Sequence, residues 1–131
     1  MIDCENEVYT RIATVLRTDY PGVNVDSTYV NAPSSFPHVS IEMTDSYPVA
    51  MTDSLEENMT RVTFTVNVYS DKPGSRKTQA KAIMNTVNDV FASMNFVRLS
   101  QMPVPNMMDE TIYRITSRYA GQTDGDYFYR I

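Results

Sequence analysis

The sequence predicts an α+β fold: a mostly antiparallel sheet of about five to six strands with two helices, the long central helix packed on one face. Three observations predict it. In 60–70, TRVTFTVNVYS, the apolar Val62, Phe64, Val66 and Val68 alternate with Arg61, Thr63, Thr65, Asn67 and Tyr69, the period of a half-buried strand. Beyond Ser75, a candidate N-cap, Ala80, Ile83, Met84, Val87, Val90, Phe91 and Met94 recur at steps of three and four, so one helix face is apolar from end to end. Between them Asp71, Lys72, Pro73 and Gly74 form a turn short enough that strand and helix must cover each other.

The remaining elements follow in chain order. Asp3 is placed to cap a first helix over about 4–19 whose opening turn carries Glu5 and Glu7, favourable at the positive end of the helix dipole. Its stripe is Val8, Ile12, Val15 and Leu16, and Tyr20-Pro21-Gly22 should stop it. Val23 and Val25 open a strand expected to reach Tyr29 or Val30, and 31–37 is a loop by composition. In HVSIEMT, Val39, Ile41 and Met43 alternate with His38, Ser40 and Glu42, a second one-sided strand. The segment Asp45 to Met59 carries Pro48, four carboxylates and no clear period, so it reads as a loop of about fifteen residues, a length usually functional or else the tip of an extended hairpin. After the central helix, 97–101 reads as a strand ended by Pro103 and Pro105, with 106–110 as a turn. TIYRITSRYAG alternates Tyr113, Ile115, Ser117 and Tyr119 against Ile112, Arg114, Thr116 and Arg118. The tail DGDYFYRI combines a hairpin turn at Asp124-Gly125 with an alternating end containing Tyr127 and Tyr129.

A chain of 131 residues is one domain by size, with no internal repeat. One cysteine, Cys4, allows no internal disulfide, and one histidine, His38, excludes a His-based metal cluster within one chain. No apolar run approaches the ~20 residues of a membrane span, and the start lacks the pattern of a secretory signal, so a cytoplasmic protein without membrane contact is expected. The formal net charge of −5 argues against a surface that grips nucleic acid as a whole.

Catalytic chemistry finds little support. A nucleophile needs a base beside it, and the only imidazole falls on the polar side of its strand, where it reads as an ordinary exposed histidine; Cys4 reads as a helix-start residue. No glycine-rich phosphate loop, nucleophile elbow or zinc-helix motif is present. Asp124 with Asp126, and Glu56 with Glu57, are the carboxylate pairs available to Mg²⁺, but magnesium nucleases need carboxylates converging from several elements. The expectation is a non-enzyme with no cofactor and no metal.

Contact surfaces find more. Lys72, Arg76, Lys77 and Lys81 crowd into 72–81, and the last three face the positive end of the central helix dipole, where anions should compensate. Three sources of anions are open: the acids Asp45, Asp53, Glu56 and Glu57 of the same chain together with solvent, the acidic loop of a neighbouring subunit, or a phosphate backbone. Nine Met and nine Tyr without Trp suit deformable contacts, and Tyr47, Met51, Met59, Met102, Met107 and Met108 exceed what so small a core can hold. The terminal strand with Tyr127 and Tyr129 is an edge onto which another chain could pair.

In YPGV after the first helix, PSSFPHVSIEM, TRVTFTVNVYSDKPGSRKTQAKAIMNTVNDVF and TIYRITSRYAG with its tyrosine-rich end, nearly the whole chain resembles the tail terminator, or tail-completion, proteins of long-tailed bacteriophages. The resemblance implies a homo-oligomeric ring, hexameric in that family, at the neck of the virion. Such a ring caps the tail tube protein, ends its polymerisation and meets the head-tail connector or stopper protein, with DNA passing through the lumen without specific binding. It also implies loops that order on assembly, as at 45–59, and no catalytic residues. Six copies would carry about thirty negative charges, which keeps a lumen from retaining phosphates. Another neck or tube ring protein of the virion, and a small nucleic-acid-binding domain using the basic cluster, are the alternatives.

Overall fold

The computed structural model describes residues 2–28, 33, 35–51, 57–104 and 111–131, with only the backbone described at 50, 51, 57 and 58. In chain order the elements are α1 (Glu5–Asp19), β1 (Asn24–Asp26), β2 (His38–Met51), β3 (Glu57–Ser70), α2 (Arg76–Ser93), β4 (Val97–Val104), β5 (Tyr113–Thr123) and β6 (Phe128–Tyr129). The strands form one six-stranded sheet ordered β1-β2-β3-β5-β4, with β6 pairing the end of β5. Every pairing is antiparallel except β1 with β2. The predicted α+β class, two helices and mostly antiparallel sheet are therefore what the chain forms.

The alternation in β3 sets the core. Val62, Phe64, Val66 and Val68 are fully buried on the face that meets the helices, and Ile115 and Tyr119 of β5 share that face through the pairs Val68 with Ile115 and Phe64 with Tyr119. From α2, Ala80, Ile83, Met84, Val87 and Phe91 point into it, and Phe91 stacks on Tyr119 with ring centroids 4.2 Å apart. Phe96 completes an aromatic group with Phe91 and Phe64 at 5.1 and 5.8 Å. α1 adds Val8, Ile12, Ala13 and Leu16. Tyr20, just past α1, hydrogen bonds the Ala82 carbonyl and the Thr86 hydroxyl of α2, each at 3.0 Å, which ties the two helices side by side.

Four boundaries depart from the sequence reading. Residues 45–51 and 57–59, read as a loop or else the tip of an extended hairpin, are hairpin strand: β2 and β3 pair down to Met51 and Glu57. Register shifts between Met43 and Asp45, Pro48 and Ala50, and Ala50 and Met51 interrupt the period, which is why no alternation shows in the sequence there. β1 is only three residues long: Ser27 and Thr28, expected to continue it, form a bend in which the Thr28 N–H donates to Asp26 Oδ1 at 3.3 Å, and Tyr29 and Val30 lie outside the described residues. β4 runs through Pro103 to Val104, because it is an outer strand and proline's missing N–H costs nothing on the solvent side. The terminal strand shrinks to Phe128–Tyr129. The turn read at 106–110 lies outside the described residues. At the N-terminus, Cys4 rather than Asp3 occupies the cap position of α1, while Asp3 Oδ1 accepts the Glu5 N–H at 3.1 Å.

Candidate functional site

The basic cluster is assembled by the β3–α2 connection. Gly74 takes the left-handed φ of 75° that lets the chain reverse, and Ser75 then occupies the cap position. Its hydroxyl makes no cap hydrogen bond, and the first turn of α2 holds no acid. Lys72, Arg76, Lys77 and Lys81 are all exposed. None of them pairs with a carboxylate among the described residues, where the one ion pair is Arg11 with Glu7 at 3.1 Å. Gly74, Ser75, Arg76, Lys77, Thr78 and Tyr113 line an open groove of about 380 Å³ at this point.

Of the described acids of 45–59, Glu57 lies at the other end of β3 and Asp45 about halfway along it. Chain direction decides it: the basic cluster follows Ser70, the last residue of β3, whereas Glu57 is the first. Fourteen residues of strand separate the two by on the order of 40 Å. Asp45 is exposed opposite Thr63, Tyr47 is 42% exposed opposite Arg61, and Met59 is half-buried opposite Ala50. Met51 and Glu57 pair through the backbone, their side chains undescribed, and Asp53 and Glu56 lie outside the described residues. β5 supports β3 only as far as Thr60, so the last part of the β2–β3 hairpin is a two-stranded ribbon. More acid gathers at this end. Ile2, ahead of Asp3, Glu5 and Glu7, reaches within 4.0 Å of a methyl built on Gly125, which lies between Asp124 and Asp126. The structure therefore brings together Lys72, Arg76, Lys77 and Lys81, but keeps them apart from Asp45 and Glu57.

Tyr127 and Tyr129 are also at the hairpin end, exposed, but not as a long edge strand. Phe128 between them packs on Phe96 at 5.6 Å, and the Tyr129 hydroxyl donates to Asp124 Oδ2 at 2.9 Å. Asp124 Oδ1 accepts the N–H groups of Tyr127 and Asp126 at 2.8 and 2.9 Å, and these bonds hold the carboxyl below its usual range. That carboxylate closes a turn. The free edges of the sheet are blunted: on β2 beyond the reach of β1 the Met43 N–H donates to Glu5 Oε2 at 2.9 Å and Pro48 lacks a donor, and β4 carries Pro103, Arg98 and a register shift between Arg98 and Ser100. Bulges, prolines and charges of this kind oppose strand addition by another chain. Met102 of β4, 54% exposed, is one of the methionines left out of the core, and Met107 and Met108 lie outside the described residues.

One placement differs from expectation. His38, read as an exposed histidine, lies on the helix-free side of the sheet as alternation requires, yet is 1% exposed. Burial lowers its affinity for a proton. Cys4 is likewise buried, and burial followed by the charge of Asp3 pushes its thiol up to about 11. It rests protonated and poorly nucleophilic.

A site the residue reading passed over is the helix-free face of the sheet. The Asn67 side-chain Oδ1 accepts from Arg114 Nε at 3.2 Å, Arg114 Nη2 at 2.9 Å and the Thr116 hydroxyl at 2.6 Å, and the Arg114 guanidinium lies 5.5 Å from the Tyr69 ring centroid. Arg61 and Arg118 belong to the same face by register. The period-two positions in 61–69 and 114–118 were the available signal. Compared with models of known protein families and with curated proteins, the chain matches none.

Proposed function

We propose that this chain is a structural protein of a long-tailed phage virion that assembles head-to-tail into a ring, in the manner of a tail terminator: the ring closes the tail tube and presents its other face to the head connector or stopper. The observation that carries the reading is the separation of charge along β3. Lys72, Arg76, Lys77 and Lys81 stand at one end without a carboxylate partner among the described residues, while Asp45 stands halfway along β3, opposite Thr63, and Glu57 opens the strand at its other end. Within one chain these groups are too far apart to pair; between neighbours arranged head-to-tail they meet, and a heterologous contact that closes by rotation makes a ring. Blunted outer strands support side-chain contact over strand exchange as the means of association. The resemblance of the sequence to tail-completion proteins supplies the assignment to the virion neck.

The test is the solution mass by light scattering across a concentration series, alone and with purified tail-tube protein. A hexamer in either condition is expected, and its loss in Lys77→Glu with Lys81→Glu, at unchanged circular dichroism, supports the charge contact. A strict monomer that ignores the tube overturns the ring. DNA binding that falls steeply with salt would favour the nucleic-acid reading instead.

A further inference from the structure

β1 is the weakest member of the sheet. It has three residues, pairs only with 38–40 of β2, and is the single parallel pairing. One side-chain bond reinforces it: Asn24 Nδ2 lies 3.0 Å from His38 Nδ1, directly across the register pair Asn24 with His38. The Asn24 N–H also donates to the Pro37 carbonyl at 3.0 Å, and from the other side the Tyr9 hydroxyl donates to the Val25 carbonyl at 3.1 Å.

The chemistry of that bond depends on charge. A carboxamide nitrogen only donates, so Nδ1 accepts and the imidazole proton sits on Nε2. Nε2 is buried without a hydrogen-bond partner among the described residues. A second proton on Nδ1 would set donor against donor. Turning the Asn24 amide to offer its oxygen would still leave a buried cation. The surroundings divide: Asp26 on β1 favours the cation, as does the Tyr69 ring of β3 at 5.8 Å, while Arg114 of β5, lying against that ring, opposes it. Burial outweighs them, and the neutral form is the one held.

We propose that His38 and Asn24 form an acid-sensitive clasp, which fastens β1 to β2 while the imidazole is neutral and releases it when the imidazole takes up a proton. The open state binds that proton near the ordinary histidine pKa of 6.5 and the closed state only at lower pH. Docking of β1 is thus fully present above 6.5 and weakens as pH falls toward the closed-state value. In that window the open fraction rises by up to about tenfold per pH unit, one proton being gained on opening.

Because His38 is the only histidine, a proton NMR titration of its imidazole reads the clasp without assignment ambiguity. The expected result is a midpoint below 6.5, with amide-exchange protection at Asn24, corrected for intrinsic rate, falling by up to about tenfold per pH unit between 6.5 and that midpoint while Val66 in β3 stays protected. In His38→Gln the Asn24 protection should be independent of pH across the same range. Asn24→Asp, which sets a carboxylate against the imidazole, should raise the midpoint and keep β1 docked to lower pH. A His38 midpoint at 6.5 with unchanged Asn24 protection overturns the clasp, as does acid release that persists in Asn24→Asp; the latter decides the matter if His38→Gln fails to fold.

Discussion

Phe91 and Gly121 show how little slack the core has at the level of single residues. Phe91 is fully buried, stacked on Tyr119 and in contact with Phe64 and Phe96, so Phe91→Ala is expected to cost about 3–5 kcal/mol in denaturant unfolding. Gly121 is selected by its neighbour: a methyl built there falls 3.0 Å from three carbons of the Phe96 ring. That ring is held by Phe64, Phe91 and Phe128 and cannot retreat freely, so Gly121→Ala should destabilise by about 1–3 kcal/mol despite adding only one carbon. Cys4 makes a third residue-scale prediction. With its thiol pushed from 9.0 to about 11, the thiolate fraction near pH 8 drops about a hundredfold. A thiol reagent should therefore label the folded protein at least that much more slowly than the denatured chain, and equal rates would contradict the burial.

At the scale of elements, α2 carries the most information. Its first turn has two cations, no acid and a serine that makes no cap bond, an arrangement that leaves the helix start less stable than it could be. Lys77→Glu is therefore expected to raise the stability of the isolated subunit by about 0.3–1 kcal/mol at low salt, measured by chemical denaturation. Under the proposed ring, the same change should weaken association. A variant that is both more stable and less able to associate would separate a residue kept for contact from one kept for folding. The β2–β3 hairpin teaches the opposite lesson about legibility. Its inner part, 38–43 against 64–69, alternates cleanly and is readable from sequence, whereas its outer part is hidden by the register shifts around Asp45, Pro48 and Ala50. Each shift moves the side chains out of phase, so the pattern that announces a strand is lost while the backbone pairing continues.

For the whole molecule the governing feature is polarity along the strands, basic at the α2 start and acidic toward the hairpin. Association through such charges must weaken with salt. Light-scattering mass is expected to fall toward that of the subunit as ionic strength approaches about 1 M, where charges more than ~3 Å apart are screened. Mass that holds or rises with salt would point to an apolar contact, for which Leu99 and Met102 on β4 are the exposed candidates.

The sequence by itself determined the elements and the core: the period of 62–68 and the stripe from Ala80 to Phe91 made burial of one strand face against one helix face unavoidable. It also determined which residues are charged and near in the chain, hence the cluster at 72–81. Only the tertiary structure decided what lies far from what. That β2 and β3 continue to Met51 and Glu57, and so carry Glu57 to the far end from Lys77, follows from backbone pairing to which no local pattern testifies. That His38 is sealed rather than solvated follows from a neighbour fourteen positions away in the chain, Asn24, and another on β3, Tyr69. Period and composition are local properties, while burial and separation are sums over distant partners, and only the folded chain performs that sum.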